Sequence, residues 1–208
     1  MGAKLADFVK KNYPDSKSDL FAVFIEVCSR MAGENCYQAM ITQHAWMFLS
    51  SYEKLREKMM LTETVNMAHL GARAFEEIGG EVVQTTSFVR CRTYIDSYKG
   101  VYCRLIEPTS QKGKEDMFLA GENQYFANQD DFEKIPGGPV AYWAGEKILK
   151  AFGSGIPLET LAHPKKGLAT TDNNRFLRLW PEIEFSKFGI ACKDKVTAEK
   201  TNKKWFTA

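Results

Sequence analysis

Thr64–Arg92, TVNMAHLGARAFEEIGGEVVQTTSFVRCR, is the stretch on which the fold turns. Val65 to Leu70 reads as a short apolar strand, Gly79–Gly80 as a turn, and Val82 to Arg92 as a longer strand of alternating polar and apolar residues. Strands bounded by glycines predict a hairpin, here one that closes an edge of an α/β sheet. Phe75 is the odd residue, an aromatic in the connection beside Arg73, Glu76 and Glu77. It either plugs the end of a core or serves a site.

Outward toward the N-terminus, Lys4 to Asn12 places Leu5, Phe8 and Val9 on one side of a short helix, which Tyr13-Pro14-Asp15 stops. Ser16 or Ser18 caps the next helix, in which Leu20, Phe21, Phe24, Ile25, Cys28 and Met31 recur at helical spacing until Gly33. Cys36 to Thr42 is an apolar strand whose residues are expected in the core. Ser50 followed by Glu53 has the spacing of a capping box and predicts a helix over Tyr52–Met60. Helix, strand, helix, strand is the order of an α/β fold with parallel strands. The Val82–Arg92 strand follows without a helix-length crossover and is therefore expected antiparallel, as an addition at the edge of the sheet.

Outward toward the C-terminus, Tyr102 to Ile106 is one more strand. Residues 108–139 are rich in glycine, proline and asparagine and predict a long, loop-rich connection. Trp143–Phe152 reads as a helix and Leu158–Leu161 as a helical turn. The stretch KKGLATTDNNRFLRLW from Lys165 begins as a turn-rich loop and becomes an apolar strand, and Lys193–Lys204 is polar and solvated. The expected division is 1–107, an α/β unit, and 108–208, a loop-rich α+β extension.

Composition narrows the function. Of 208 residues, 44% are hydrophobic and 26% charged, which is globular. No apolar run approaches the length of a bilayer span, and Met1–Lys11 lacks the apolar core of a signal peptide, so the expected location is cytoplasmic and off the membrane. The five cysteines form no CxxC pair and read as reduced thiols, and His44, His69 and His163 are scattered, so no metal site is expected. At a net charge of +2, contact with nucleic acid requires a local patch or additional protein. GxSxG, Walker A, HExxH and GxGxxG are absent from the sequence. Glu76 and Glu77 are adjacent, so their carboxylates diverge and read as surface charges. His44 follows a strand end, where α/β proteins keep their ligands, but a satisfied, partly buried histidine is the preferred reading.

KNYPDSKSDLFAVFIE (11–26), YQAMITQHAWMFLSSYEKLR (37–56), MAHLGARAFEEIGGEVVQTTSFV (67–89) and GLATTDNNRFLRLW (167–180), in that order, closely resemble the large adenine-specific DNA methyltransferases of restriction-modification and phage-exclusion (BREX, PglX-type) systems. The resemblance implies a doubly wound, Rossmann-like sheet with a final antiparallel strand. It also implies methyl transfer from S-adenosylmethionine to the exocyclic amine of adenine in double-stranded DNA. That chemistry uses a glycine-rich cofactor loop and an Asn-Pro-Pro-Tyr loop, and neither is in this sequence. In the family the Asn-Pro-Pro-Tyr loop lies just upstream of the block matching Lys4–Asn12. The expectation is therefore the second half of a catalytic domain leading into target recognition. Alone it would be inactive, requiring the missing half in cis or in trans. The other reading is a non-catalytic remnant or interaction module that associates with a full-length methyltransferase or another defence protein, with an exposed apolar surface and self-association expected.

By the same resemblance, Phe75 matches the aromatic that packs on a flipped adenine, against the alternative of core filler. Asp19 and Phe21 match the block beside the cofactor pocket, although a carboxylate in a first helical turn also suits the helix dipole. Asn173, Asn174 and Arg175 match the block that introduces the recognition region and can touch DNA, or can belong to a turn held by Asp172 and Asn173. Thr171 stands where family members often carry glycine.

Overall fold

Apolar spacing and capping set the local elements. The computed structural model describes residues 1–77, 83–162, 172–192, 194–200, 203 and 205–206. Helix α1 spans Ala3–Asn12 and α2 Leu20–Met31. Asp19 is the N-cap of α2, its Oδ1 accepting from the Leu20 amide at 2.6 Å, so the cap falls one residue past the serines. Strand β1 is Tyr37–Gln43, followed by 3-10 turns at His44–Met47 and Ser50–Tyr52 and by α3, Glu53–Met60. Then come β2, Glu63–Gly71, β3, Thr85–Cys91, and β4, Gly100–Arg104. The Gly79–Gly80 turn and Val82 lie outside the described residues.

The strands form a five-stranded mixed sheet in the order β1-β3-β2-β4-β5, where β5 is Gln124–Ala127. Strand β3 is antiparallel to both β1 and β2, and β2 is parallel to β4. The predicted pairing of the Thr64–Arg92 strands is present, and β1, β2 and β4 share one direction. The expected edge position of Val82–Arg92 is corrected: β3 is hydrogen-bonded on both sides. Its polar pattern misleads because buried Thr86 and Arg90 find internal partners, although the Thr85 hydroxyl finds none. Buried Arg90 donates to Thr64 Oγ1 at 2.6 Å, Thr62 Oγ1 at 2.7 Å and Thr62 O at 2.9 Å, and also to Met59 O.

Residues 108–139 are also more ordered than their composition predicts. They contain α4, Gln111–Leu119, capped by Ser110, and then β5, which pairs antiparallel with β4 and extends the sheet beyond residue 107. Helix α5 is Glu146–Ser154.

One face of the sheet carries Met40, Phe88, Met67, Tyr102 and Tyr125 in register across all five strands. Trp46, Met47, Tyr52, Leu55, Phe132, Val140 and Tyr142 cover that row and make the core. The other face aligns Ala39, Val89, Asn66, Val101 and Phe126. Here Ile41 is 58% and Phe126 64% exposed. Strand β1 is therefore not the core strand its sequence suggests. Its buried residues include polar Gln38, donating to Ile25 O at 2.9 Å, and Thr42, accepting from Trp46 Nε1 at 3.1 Å, while apolar Tyr37 and Ile41 face outward.

The chain divides into two compact units, Met1–Gly155 and Ile156–Ala208. The second holds α6, Leu158–Leu161, α7, Asn173–Phe176, and α8, Lys195–Lys200, with short strands β6, Phe188–Gly189, and β7, Trp205–Phe206, paired in parallel. The apolar strand expected after Asn174 is corrected to a helical turn: Asp172 Oδ1 accepts from the Arg175 amide at 3.0 Å, an N-cap bond that starts α7. His163 and Thr171 lie outside the described residues. No helix among the described residues is long and apolar enough to cross a membrane.

Candidate functional site

Parallel β1, β2 and β4 bring their C-terminal ends to one edge, the edge at which open α/β sheets hold ligands. His44 follows the end of β1, His69 lies two residues before the end of β2, and Arg104, its register partner, ends β4. His44 Nδ1 is 2.8 Å from His69 Nε2, and His69 Nδ1 is 3.0 Å from the Tyr142 hydroxyl. This is a continuous hydrogen-bonded chain with two self-consistent proton arrangements. In one, Tyr142 O–H donates to His69, which donates to His44. In the other, His44 donates to His69, which donates to the phenol oxygen.

Burial decides the charge of this chain. His69 is held down at about 4, first by burial and then by His44, Arg104 and Lys114. Burial also lowers His44, and it raises Tyr142, which stays a phenol. The pair is therefore neutral at ordinary pH. The satisfied, partly buried His44 expected from sequence is what the structure contains. Its partner His69 was not distinguishable by sequence, because register and not spacing brings the imidazoles together.

Tyr142 reaches the edge through a built loop. Gly137 and Gly138 have φ of +80° and +54°, which side-chain-bearing residues rarely adopt. Arg56 fixes that turn, donating to Gly137 O through Nε at 3.0 Å, and to Trp46 O and Leu49 O through Nη1, each at 2.8 Å. The Val140 amide then bonds Met47 O at 2.9 Å, and Tyr142 stacks on Tyr102 at 5.0 Å. Trp143 comes next, touching Phe48 at 5.7 Å and Tyr142 at 4.8 Å, with the Arg104 guanidinium 5.5 Å from its ring centre.

The other residues singled out by sequence are placed as follows. Phe75 lies in the loop leaving the C-terminal end of β2 and is 37% exposed, so it does not plug the core. Lys114 anchors the root of that loop, donating to Leu70 O and Leu105 O at 2.6 Å each. Asp19 caps α2 from an exposed position, and Phe21 packs partly against the core at 5.6 Å from Tyr52. The short connection from Met31 to Tyr37 returns α2 against β1, so the N-terminus of α2 faces the same edge as His44. Asn173, Asn174 and Arg175 form the capped turn α7 in the second unit, with Asn174 and Arg175 exposed. No cluster of three or more metal-ligating side chains occurs among the described residues.

Residues 1–72 match the Eco57I restriction-modification methylase family. The adenine-specific methyltransferase PglX of Lacticaseibacillus casei is 46% identical over 99% of this chain, which covers 18% of that protein. The adenine-specific methyltransferase BrxX of Escherichia coli is 42% identical over 99% of this chain, covering 16% of it. This chain thus spans less than a fifth of the length of these relatives. Over nearly its whole length the chain is similar to adenine-specific methyltransferases, and its first 72 residues match the model of the Eco57I restriction-modification methylase family.

Proposed function

We propose that this chain is part of an S-adenosylmethionine-dependent DNA adenine-N6 methyltransferase of a restriction-modification or phage-defence system, acting in the cytoplasm. Residues 1–107 form the second half of the catalytic domain, and residues 108–208 lead into target recognition. Phe75 stacks on the extruded adenine, recovering part of the stacking lost on flipping. Asp19 and Phe21 contribute to the cofactor pocket, and Asn173, Asn174 and Arg175 contact double-stranded DNA. The cofactor supplies an electrophilic methyl group, and this chain's residues bind and orient around it. Alone the chain is inactive, and it works with the missing half in cis or in trans.

The observation that carries this reading is the partly uncovered outer face of the sheet, where Tyr37, Ile41 and Phe126 are exposed while Cys91 and Cys103 are buried. All-parallel sheets are ordinarily covered on both faces, and in this mixed sheet β2 and β4 pair in parallel. On β1, Gln38 and Thr42 turn inward beside Met40 while Tyr37 and Ile41 turn outward, as Phe126 does on β5. The outer edge of β1 also has no strand partner among the described residues. A partly uncovered face and an open edge suit a second half-domain, and they favour self-association when it is absent.

The test is methyl transfer from radiolabelled S-adenosylmethionine to adenine-containing duplex. One arm uses this chain alone; the other adds an amino-terminal half bearing the Asn-Pro-Pro-Tyr loop. Activity only in the combined arm, reduced at least tenfold by Phe75→Ala, supports the reading. Absence of activity in both arms overturns it and favours the interaction-module alternative.

A further inference from the structure

Phe75 accounts for one exposed aromatic ring at the C-terminal edge, but a second stands there unassigned. Trp143 is 38% exposed although Tyr142, which it touches, is buried. An indole left in water at the rim of a packed aromatic cluster forgoes burial available a few ångströms away. Its posture is nonetheless fixed. Tyr142 meets it edge-on at 89°, Phe48 is tilted against it at 58°, and Tyr142 is itself held by His69 and by stacking on Tyr102. Rigid aromatic rings that meet no internal need are suited to a planar ligand.

Arg104 gives that ligand its charge. Its guanidinium lies over Trp143, and its side chain is 31% exposed. It pairs with Glu107 at 3.6 Å, but that carboxylate is half exposed, so the ion pair is weak and a phosphate can compete for it. The neighbouring cation, Lys114, is buried and bonded to carbonyls. A planar aromatic surface joined to an available guanidinium matches a nucleobase with its adjoining phosphate. An unpaired base presents both of its faces, whereas a paired and stacked base presents neither.

We propose that Trp143 and Arg104 form a second nucleic-acid contact, which stacks on an unpaired base of the DNA strand and holds its phosphate. This rests on the reading of the chain as part of a DNA-modifying enzyme. It concerns a site separate in sequence from Phe75 and needs no methyl transfer to be tested.

The experiment is fluorescence anisotropy of a labelled single-stranded oligonucleotide with the full chain at low salt. Duplex of the same sequence, adenosine monophosphate and S-adenosylmethionine serve as competitors. Single strand is expected to bind in preference to duplex. Trp143→Ala should weaken it between about fivefold and a hundredfold, and Trp143→Phe less. Arg104→Gln should lower the slope of log affinity against log salt by about 0.7, the share of one single-strand phosphate. Tyr37→Ala, which removes an exposed aromatic ring of the outer face of the sheet, should leave this affinity within about twofold, which separates the contact from stacking on any exposed ring. Thermal melting of each variant checks its fold; if Trp143→Ala does not fold, Trp143→Phe and Arg104→Gln carry the test. Absence of single-strand binding, binding unchanged in Trp143→Phe and Arg104→Gln, or displacement by S-adenosylmethionine in preference to DNA would overturn the proposal. None of these outcomes bears on methyl transfer by the assembled enzyme, which is tested separately.

Discussion

The two faces of the sheet are made from the same strands and treated in opposite ways. The inner face is filled by Met40, Phe88, Met67 and Tyr102 under Trp46, Tyr52 and Tyr142, and even its polar members are bonded. The outer face mixes half-buried Val89 and Val101 and buried Cys91 and Cys103 with Ile41 and Phe126, which stand in water. The contrast teaches that burial in this chain follows the neighbours available and not the hydrophobicity of the residue. Gln38 is buried because Ile25 O accepts from it, and Ile41 is exposed because no described element covers it.

The contrast can be broken most forcefully from the inner face. Trp46→Ala removes a 1% exposed ring that touches Phe88 at 5.4 Å and bonds Thr42. It should cost about 3–5 kcal/mol in chemical denaturation. A loss under about 1 kcal/mol would mean that the inner face is not the core.

The histidine chain tests the edge between the faces. Folding lowers His69 from its ordinary 6.5 to about 4, so over that window the unfolded state binds more protons. Its contribution is therefore present above pH 6.5 and is lost as pH falls toward 4, on the order of 3 kcal/mol. Denaturation midpoints measured through this range should fall, and His69→Gln should flatten that dependence. An unchanged slope in the variant would refute the burial argument.

A smaller effect is expected at the root of the Phe75 loop. Lys114→Ala leaves the Leu70 and Leu105 carbonyls without their buried donor and should destabilise by about 1–3 kcal/mol. Hydrogen exchange should also accelerate at the end of β2. If only distant amides respond, Lys114 does not anchor that loop.

The smallest effect belongs to the outer face. Ile41→Ser and Phe126→Ser together should change stability by less than about 1 kcal/mol, because neither side chain is covered. They should nonetheless reduce self-association in light scattering. A large stability loss would mean that the outer face is already packed, and the contrast between the faces would disappear.

Much of the fold was legible in local signals. Helix α2 was readable from apolar residues every three or four positions, and the β2–β3 pairing from glycine-bounded strands. Residues 108–139 were less so, since glycine and proline at turns obscured α4 and β5. The strand expected from RFLRLW failed at the Asp172 cap, whose single hydrogen bond outweighs weak strand propensity. Of the candidate site, Phe75 stood out as an aromatic out of pattern, and His44 by its place after a strand. His69, Tyr142, Arg104 and Trp143 gave no such signal.

By itself the sequence determined the elements, the α/β order and the similarity to adenine-specific methyltransferases, because each is written in near-neighbour spacing or in residue identity. Only the tertiary structure decided that β3 lies inside the sheet, that Gln38 is buried and Ile41 is not, and that His69 meets both His44 and Tyr142. Those outcomes depend on strand register and on contacts between residues 25 and 73 positions apart, where chain topology and not local propensity brings the partners together.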